Sequence, residues 1–183
     1  MNPEASALQA VAEGRHHSPH SVLGFHQQAK DWVLRVLRPF AKSVSIKTKK
    51  SEHELTHVYD GIWELRGNSA APGDYRVVAS YDSAPDWVSD DPYRYLPKLG
   101  DLDLHLIAEG RHEELWQALG AHLIESKDSL GDTSGASFKL WAPNAQAVRV
   151  VGDFNSWDGR AYAMRSMGGS GVWELYVPGV KIG

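Results

Sequence analysis

The sequence predicts an all-β fold of two tandem immunoglobulin-like β-sandwiches, with short helices at the N-terminus and in the linker, and the second sandwich truncated. Three observations predict it. Between residues 31 and 81 apolar residues recur with a period of two and no helical period intervenes, as in strands with one buried face. Asp60-Gly61 lies between two β-favouring runs and suits a two-residue hairpin turn with positive φ. The second half also repeats landmarks of the first. "LRVLRPFAKSVSI" (34–46) returns as "FKLWAPNAQAVRV" (138–150), and "GIWEL" (61–65) returns as "GVWEL" (171–175), with the insertion "GDFNSWDGR" lengthening the second copy.

The elements follow in order. Asn2-Pro3 reads as an N-cap with proline at the first helical position, Ala5, Leu8, Val11 and Ala12 keep helical spacing, and Gly14 ends the helix. A helix of about three turns must dock on something to persist. Strands are expected at 31–38 and 43–48, where Val44 and Ile46 share a face. A hairpin follows at 54–67 and a closing strand at 74–81. Pro85, Pro92 and Pro97 make 82–100 an irregular surface connection. A short helix is expected over 109–120, with Leu115 and Leu119 one turn apart and Gly120 as its stop. "ESKDSLGDTSGAS" (125–137) reads as a polar linker, followed by strands at 138–142, 147–152, 161–165 and 172–177. The expected organisation is a β-sandwich over 1–105, a helical and polar linker over 106–137, and an incomplete module over 138–183.

The repeat carries a further expectation. After Trp63 the first copy runs on to "DYRVVASY"; after Trp173 the second has "ELYVPGVKIG", and the matching closing strand is missing, as though a domain had been cut. An incomplete sandwich exposes a backbone edge and apolar side chains, so 125–183 is expected to be less stable than 1–120.

Composition excludes several classes. The 183 residues carry a net charge of −4, with 42% hydrophobic and 23% charged residues, and contain no Cys. Disulfides and thiolate metal sites are therefore excluded, which fits a reducing, cytoplasmic location. Lys42, Lys47, Lys49 and Lys50 do not extend into the basic stripe a nucleic acid requires. No apolar run approaches the ~20 residues of a membrane span.

His16, His17, His20 and His26 cluster in "GRHHSPHSVLGFH" (14–26), but Pro19 interrupts helical spacing and no carboxylate pair completes a metal site. Asp153 and Asp158 flank the loop "GDFNSWDG" as paired carboxylates do in glycosidic chemistry, yet turns favour Asp for its own backbone hydrogen bonds. No catalytic residue is assigned. Trp32, Trp63, Trp116, Trp141 and Trp173 lie within strand or helix patterns and read as core. Trp87 reads as a surface clamp. Trp157 differs: in a polar, glycine-bounded loop, its flat indole could stack on a sugar ring while Asn155 and Ser156 reach the hydroxyls, or it could cap the end of the sandwich.

"FKLWAPNAQAVRVVGDFNSWDGRAYAMR" and "GVWELYVPG" strongly resemble the α-glucan-binding module that precedes the catalytic barrel in glycogen branching enzymes. Upstream, "HHSPHSVLGFH", "VLRPFAKSV", "GIWEL" and "DPYRYLPKLGDLDLHLIAEGRHEELWQALGAH" resemble the additional N-terminal domain of the longer bacterial members, so the likeness covers essentially the whole chain. The resemblance implies a parent enzyme that cleaves an α-1,4-glucan and transfers the freed segment to a 6-hydroxyl, by retaining double displacement on a (β/α)₈ barrel. None of that barrel lies in these residues. Trp157 matches the position that stacks on glucose in such modules. The implied role is glucan docking and influence on transferred chain length, without a cofactor. The implied partners are α-1,4-glucan or glycogen and the catalytic barrel of the same chain, with no nucleic acid and no membrane. The alternative is a stand-alone α-glucan-binding or scaffold protein.

Overall fold

The computed structural model describes residues 3–68, 70–82 and 84–181. Twelve strands in three four-stranded sheets dominate them.

The first unit is the expected sandwich. Its strands are β1 (Gly24–Gln28), β2 (Asp31–Leu37), β3 (Ser43–Thr48), β4 (Glu52–Glu54), β5 (Thr56–Tyr59), β6 (Ile62–Gly67), β7 (Tyr75–Ser80) and β8 (Trp87–Ser89). One sheet has the order β1-β2-β6-β5 and the other β4-β3-β7-β8. Alternation places Leu34 and Val36 of β2, Val44 and Ile46 of β3, Trp63 of β6, and Tyr75, Val77 and Ala79 of β7 in one buried cluster between the sheets. The Asp60-Gly61 turn forms between β5 and β6, with Gly61 at φ +77°, where a Cβ would stand 2.8 Å from Pro39 Cα. Strands β1, β4 and β8 were not foreseen; β1 and β4 are polar edge strands, and β8 lies inside the proline-rich connection.

The second unit begins earlier than expected. Residues 125–137 are not a linker: β9 (Gly120–Asp128) and β10 (Gly131–Trp141) form a long antiparallel hairpin through them. With β11 (Arg165–Ser166) and β12 (Val172–Pro178) they make a sheet of order β11-β12-β10-β9. The sequence echo is structural, since β10 pairs with β12 as β2 pairs with β6. The strands expected at 147–152 and 161–165 shrink to one bridge, Arg149 with Ala163, plus β11. The equivalent β3 pairs with β7 on one side and β4 on the other; among the described residues no strand plays the part of β7 for 147–152.

Helix α1 (Pro3–Ala12) forms where expected and Gly14 follows it at φ +64°, while Asn2, the expected N-cap, lies outside the described residues. The second helix is displaced: α2 spans Asp101–Ala108, and of the expected 109–120 only the single turn α3 (Leu115–Ala118) is helical. Gly110, at φ +68°, separates the two.

The apolar face of the second sheet is covered by the first unit. Val11 and Ala12 of α1, Val22 and Leu23, Leu37, Ile62 and Tyr93 share one buried cluster with Tyr162, Met164, Trp173, Leu175 and Val177. On the other face of β12, Val172 packs with Leu99, Ile107 and Ala118 of the 95–119 connection. This explains why β12 is buried on both faces. Trp116 and Trp141, expected in the core, are exposed. Among the described residues no helix is long and apolar enough to cross a membrane.

Candidate functional site

Trp157 lies in the loop that follows the bridge at Arg149. Asp153–Asn155 form one 3₁₀ turn, after which Ser156 and Trp157 both take left-handed backbone, at φ +51° and +60°. A non-glycine residue in that region costs roughly 1–3 kcal/mol and persists only when its surroundings hold it there. Here the Asn155 carboxamide does so, donating from Nδ2 to Val150 O (2.9 Å) and accepting at Oδ1 from Gly152 N (3.0 Å). Trp157 N donates to Gly152 O (3.0 Å). Gly159 closes the loop where a Cβ would stand 2.8 Å from Arg149 Cβ.

The loop presents the indole instead of burying it. Trp157 is 66% exposed, and its Nε1–H donates to Asp153 Oδ1 at 3.0 Å. The ring is thereby fixed at its polar edge with a face left to solvent. Asp158 accepts from Arg160 Nε and Nη2 (2.6–3.1 Å), and these bonds hold its carboxyl below the usual carboxylate range. Asp153 and Asp158 are thus both engaged within the loop, and Asp158 stays charged where a general acid would need a proton.

The two residues singled out from sequence, Asn155 and Trp157, are brought together in one loop with different parts in it: Asn155 shapes the backbone and Trp157 supplies a surface. Sequence reasoning missed the neighbours. Phe154 packs edge-on against Tyr162, with ring centroids 5.5 Å apart, and faces Phe40 and Trp87 of the first unit across a groove. Trp87 was read only as a surface clamp, and Phe40, a large apolar residue in the turn after Pro39, was a further signal. The histidine loop gathers no metal set: His16 and His17 stack on each other, His26 Nε2 meets Leu23 O, and His20 is enclosed beside Tyr93. Among the described residues no group of three or more His, Asp or Glu could hold a metal ion.

Comparison with known families places these units. Residues 4–93 match the family "alpha-1,4-glucan branching enzyme GlgB, N-terminal domain", and residues 118–183 match "Carbohydrate-binding module 48 (Isoamylase N-terminal domain)". The chain belongs to the N-terminal region of the GlgB branching-enzyme family. The module's match begins at 118, so it takes in the β9–β10 hairpin as well as the Trp157 loop. The 1,4-alpha-glucan branching enzyme GlgB of Thermobifida fusca (strain YX) is 49% identical over 183 residues, covering 100% of this chain and 24% of that protein. That of Leifsonia xyli subsp. xyli (strain CTCB07) is 51% identical over 185 residues, covering 97% and 25%. That of Rhodococcus jostii (strain RHA1) is 45% identical over 181 residues, covering 99% and 25%. The chain therefore spans about a quarter of the length of the curated relatives it matches.

Proposed function

We propose that this chain is the non-catalytic, glucan-docking region of a glycogen branching enzyme, acting in the cytoplasm, and that Trp157 is its docking platform. The parent activity in this reading cuts α-1,4-glucan segments and rejoins them through α-1,6 bonds, and the docking region holds the donor chain and so influences the length transferred. The observation that carries the reading is an indole 66% exposed, fixed by Asp153 on a strained loop inside a matched carbohydrate-binding module. Exposing a large aromatic contributes nothing to folding, whereas a pyranose ring offers C–H faces to stack on it and hydroxyls for the polar atoms around it.

Isothermal titration of the chain with maltoheptaose tests this against Trp157→Ala. Covering one aromatic side chain is worth about 1.5–3 kcal/mol, so the variant should bind roughly 10- to 100-fold more weakly with its melting temperature unchanged. Equal affinity in the two proteins would remove Trp157 from the site.

A further inference from the structure

We propose that the groove between the two units is a second α-1,4-glucan subsite, continuous with the Trp157 platform; this rests on the reading that Trp157 docks glucan. The groove encloses about 550 Å³, within the ~300–1,000 Å³ of small-molecule sites. Phe40 and Trp87 of the first unit form one side, and Phe154 and Tyr162 of the second form the other. Ser156 lies on its rim and the next residue is Trp157, so a chain stacked on the indole has a direct path into it.

Backbone strain converges on this place. Among the described residues four non-glycine residues have positive φ: Ala29, Phe40, Ser156 and Trp157. Phe40 and Ser156 line the groove and Trp157 adjoins it, so three strained positions from two different units meet at one feature. Strain of this kind collects where the native state holds a geometry for use. Phe40, at φ +64°, is 80% exposed, which no requirement of folding explains. Its ring is not loose, because the Arg160 guanidinium lies 4.9 Å from the centroid. Trp87, 40% exposed, has the Arg38 guanidinium 5.7 Å from its ring. Each aromatic is therefore braced by a cation and still presents surface to the groove.

The chemistry selects a neutral polyhydroxylated ligand. Aromatic surface suits the C–H faces of pyranose rings, and the rim carries the Ser156 hydroxyl and the Asp158 carboxylate, which has lone pairs beyond those given to Arg160. Asp158 is neutralised by Arg160, and the other charged residue of the lining, Arg38, is 2% exposed with its guanidinium bonded to Leu37 O and Ser89 Oγ, so little charge faces a polyanion or a polycation. A purely apolar ligand would cover those polar atoms without bonding them.

Two adjoining subsites make affinity depend on length, because a chain held at one reaches the other intramolecularly. The test titrates the 183-residue chain, Trp87→Ala, Phe40→Gly and Trp157→Ala with maltotriose and with maltoheptaose. The expected result is maltoheptaose binding at least roughly tenfold tighter than maltotriose in the unmodified chain, a gain that Trp87→Ala and Phe40→Gly remove while leaving maltotriose affinity in place. Trp157→Ala weakens both sugars. Glycine takes φ +64° without strain, so Phe40→Gly keeps the readout if Trp87→Ala fails to fold. If both sugars bind through Trp157 while Trp87→Ala and Phe40→Gly match the unmodified chain, the groove is no subsite and the Trp157 reading stands. If neither sugar binds the unmodified chain, both readings fall.

Discussion

The Asn155 carboxamide bonds two backbone groups of its own loop, so Asn155→Ala leaves Val150 O and Gly152 N without that partner. The expected cost is about 1–3 kcal/mol, read as a lower urea midpoint, together with weaker glucan binding because Trp157 loses its pose. Lost affinity without lost stability would instead make Asn155 a direct sugar contact, as its sequence position suggested. His20 gives a second residue-scale prediction. Burial lowers its pKa to about 3, helped by the charges of Arg165 and His26, and neither ring nitrogen has a partner. An unfolded histidine titrates near ~6.5, so below that pH the unfolded chain binds a proton that the folded chain refuses. Stability is therefore present above pH ~6.5 and falls as the pH drops toward about 3, by up to roughly 1.4 kcal/mol per unit. His16, lowered by burial, acts in the same direction. Melting curves between pH 7.5 and 5 should show the slope and His20→Leu should flatten it; an unchanged slope would assign the proton to another group. Trp157 was legible in the sequence because a tryptophan among polar turn residues has no core to enter, whereas Asn155's part depended on which backbone groups the loop brings to it.

At the scale of elements, legibility followed the side-chain period. The strands β3 and β7 alternate cleanly, β2 and β6 are runs of β-favouring residues, and all four were read close to their observed ends. The β9–β10 hairpin was hidden because its outer half is polar on both faces, and the reason lies in what it meets. At its tip Asp128 accepts from Arg76 Nη1 (2.8 Å), Arg76 Nη2 (3.2 Å) and Arg94 Nη1 (2.9 Å), all from the first unit. These bonds hold the Asp128 carboxyl well below the usual range, so its contribution is complete above pH ~4 and is lost on stronger acidification. Asp128→Ala leaves two largely buried guanidinium groups short of a partner and should cost about 3 kcal/mol in urea denaturation. A change under about 0.5 kcal/mol would show that the tip is not clamped. The reverse error occurred at 147–152, where an alternating pattern forms only a bridge, because a pattern supplies a face but not a neighbouring strand.

At the scale of the molecule, the helix that needed somewhere to dock and the sheet that needed a cover meet each other. Tyr93 ties the units further, donating from its hydroxyl to Ala163 O (3.2 Å) and accepting from Ala163 N (2.9 Å). Glu174, 0% exposed, accepts from Lys98 N (2.5 Å) and Leu99 N (3.3 Å), which anchors the connection to β12. Because the cores are shared, the whole chain should unfold in one transition, with amide exchange in β12 as protected as in β2. The sequence expectation of a weaker second half would appear instead as an earlier transition confined to 125–183. No periodicity could show this shared core, since it arises between faces that each look merely amphipathic.

The most direct test of glucan docking is an NMR titration with maltoheptaose that follows the tryptophan indole N–H signals. Trp157 Nε1 lies on the exposed loop, whereas Trp173 Nε1 donates to Ala142 O inside the shared core and serves as the internal reference. A saturable shift of the Trp157 signal with the Trp173 signal unmoved is the predicted result. A Trp157 signal that stays in place at saturating sugar would contradict the account.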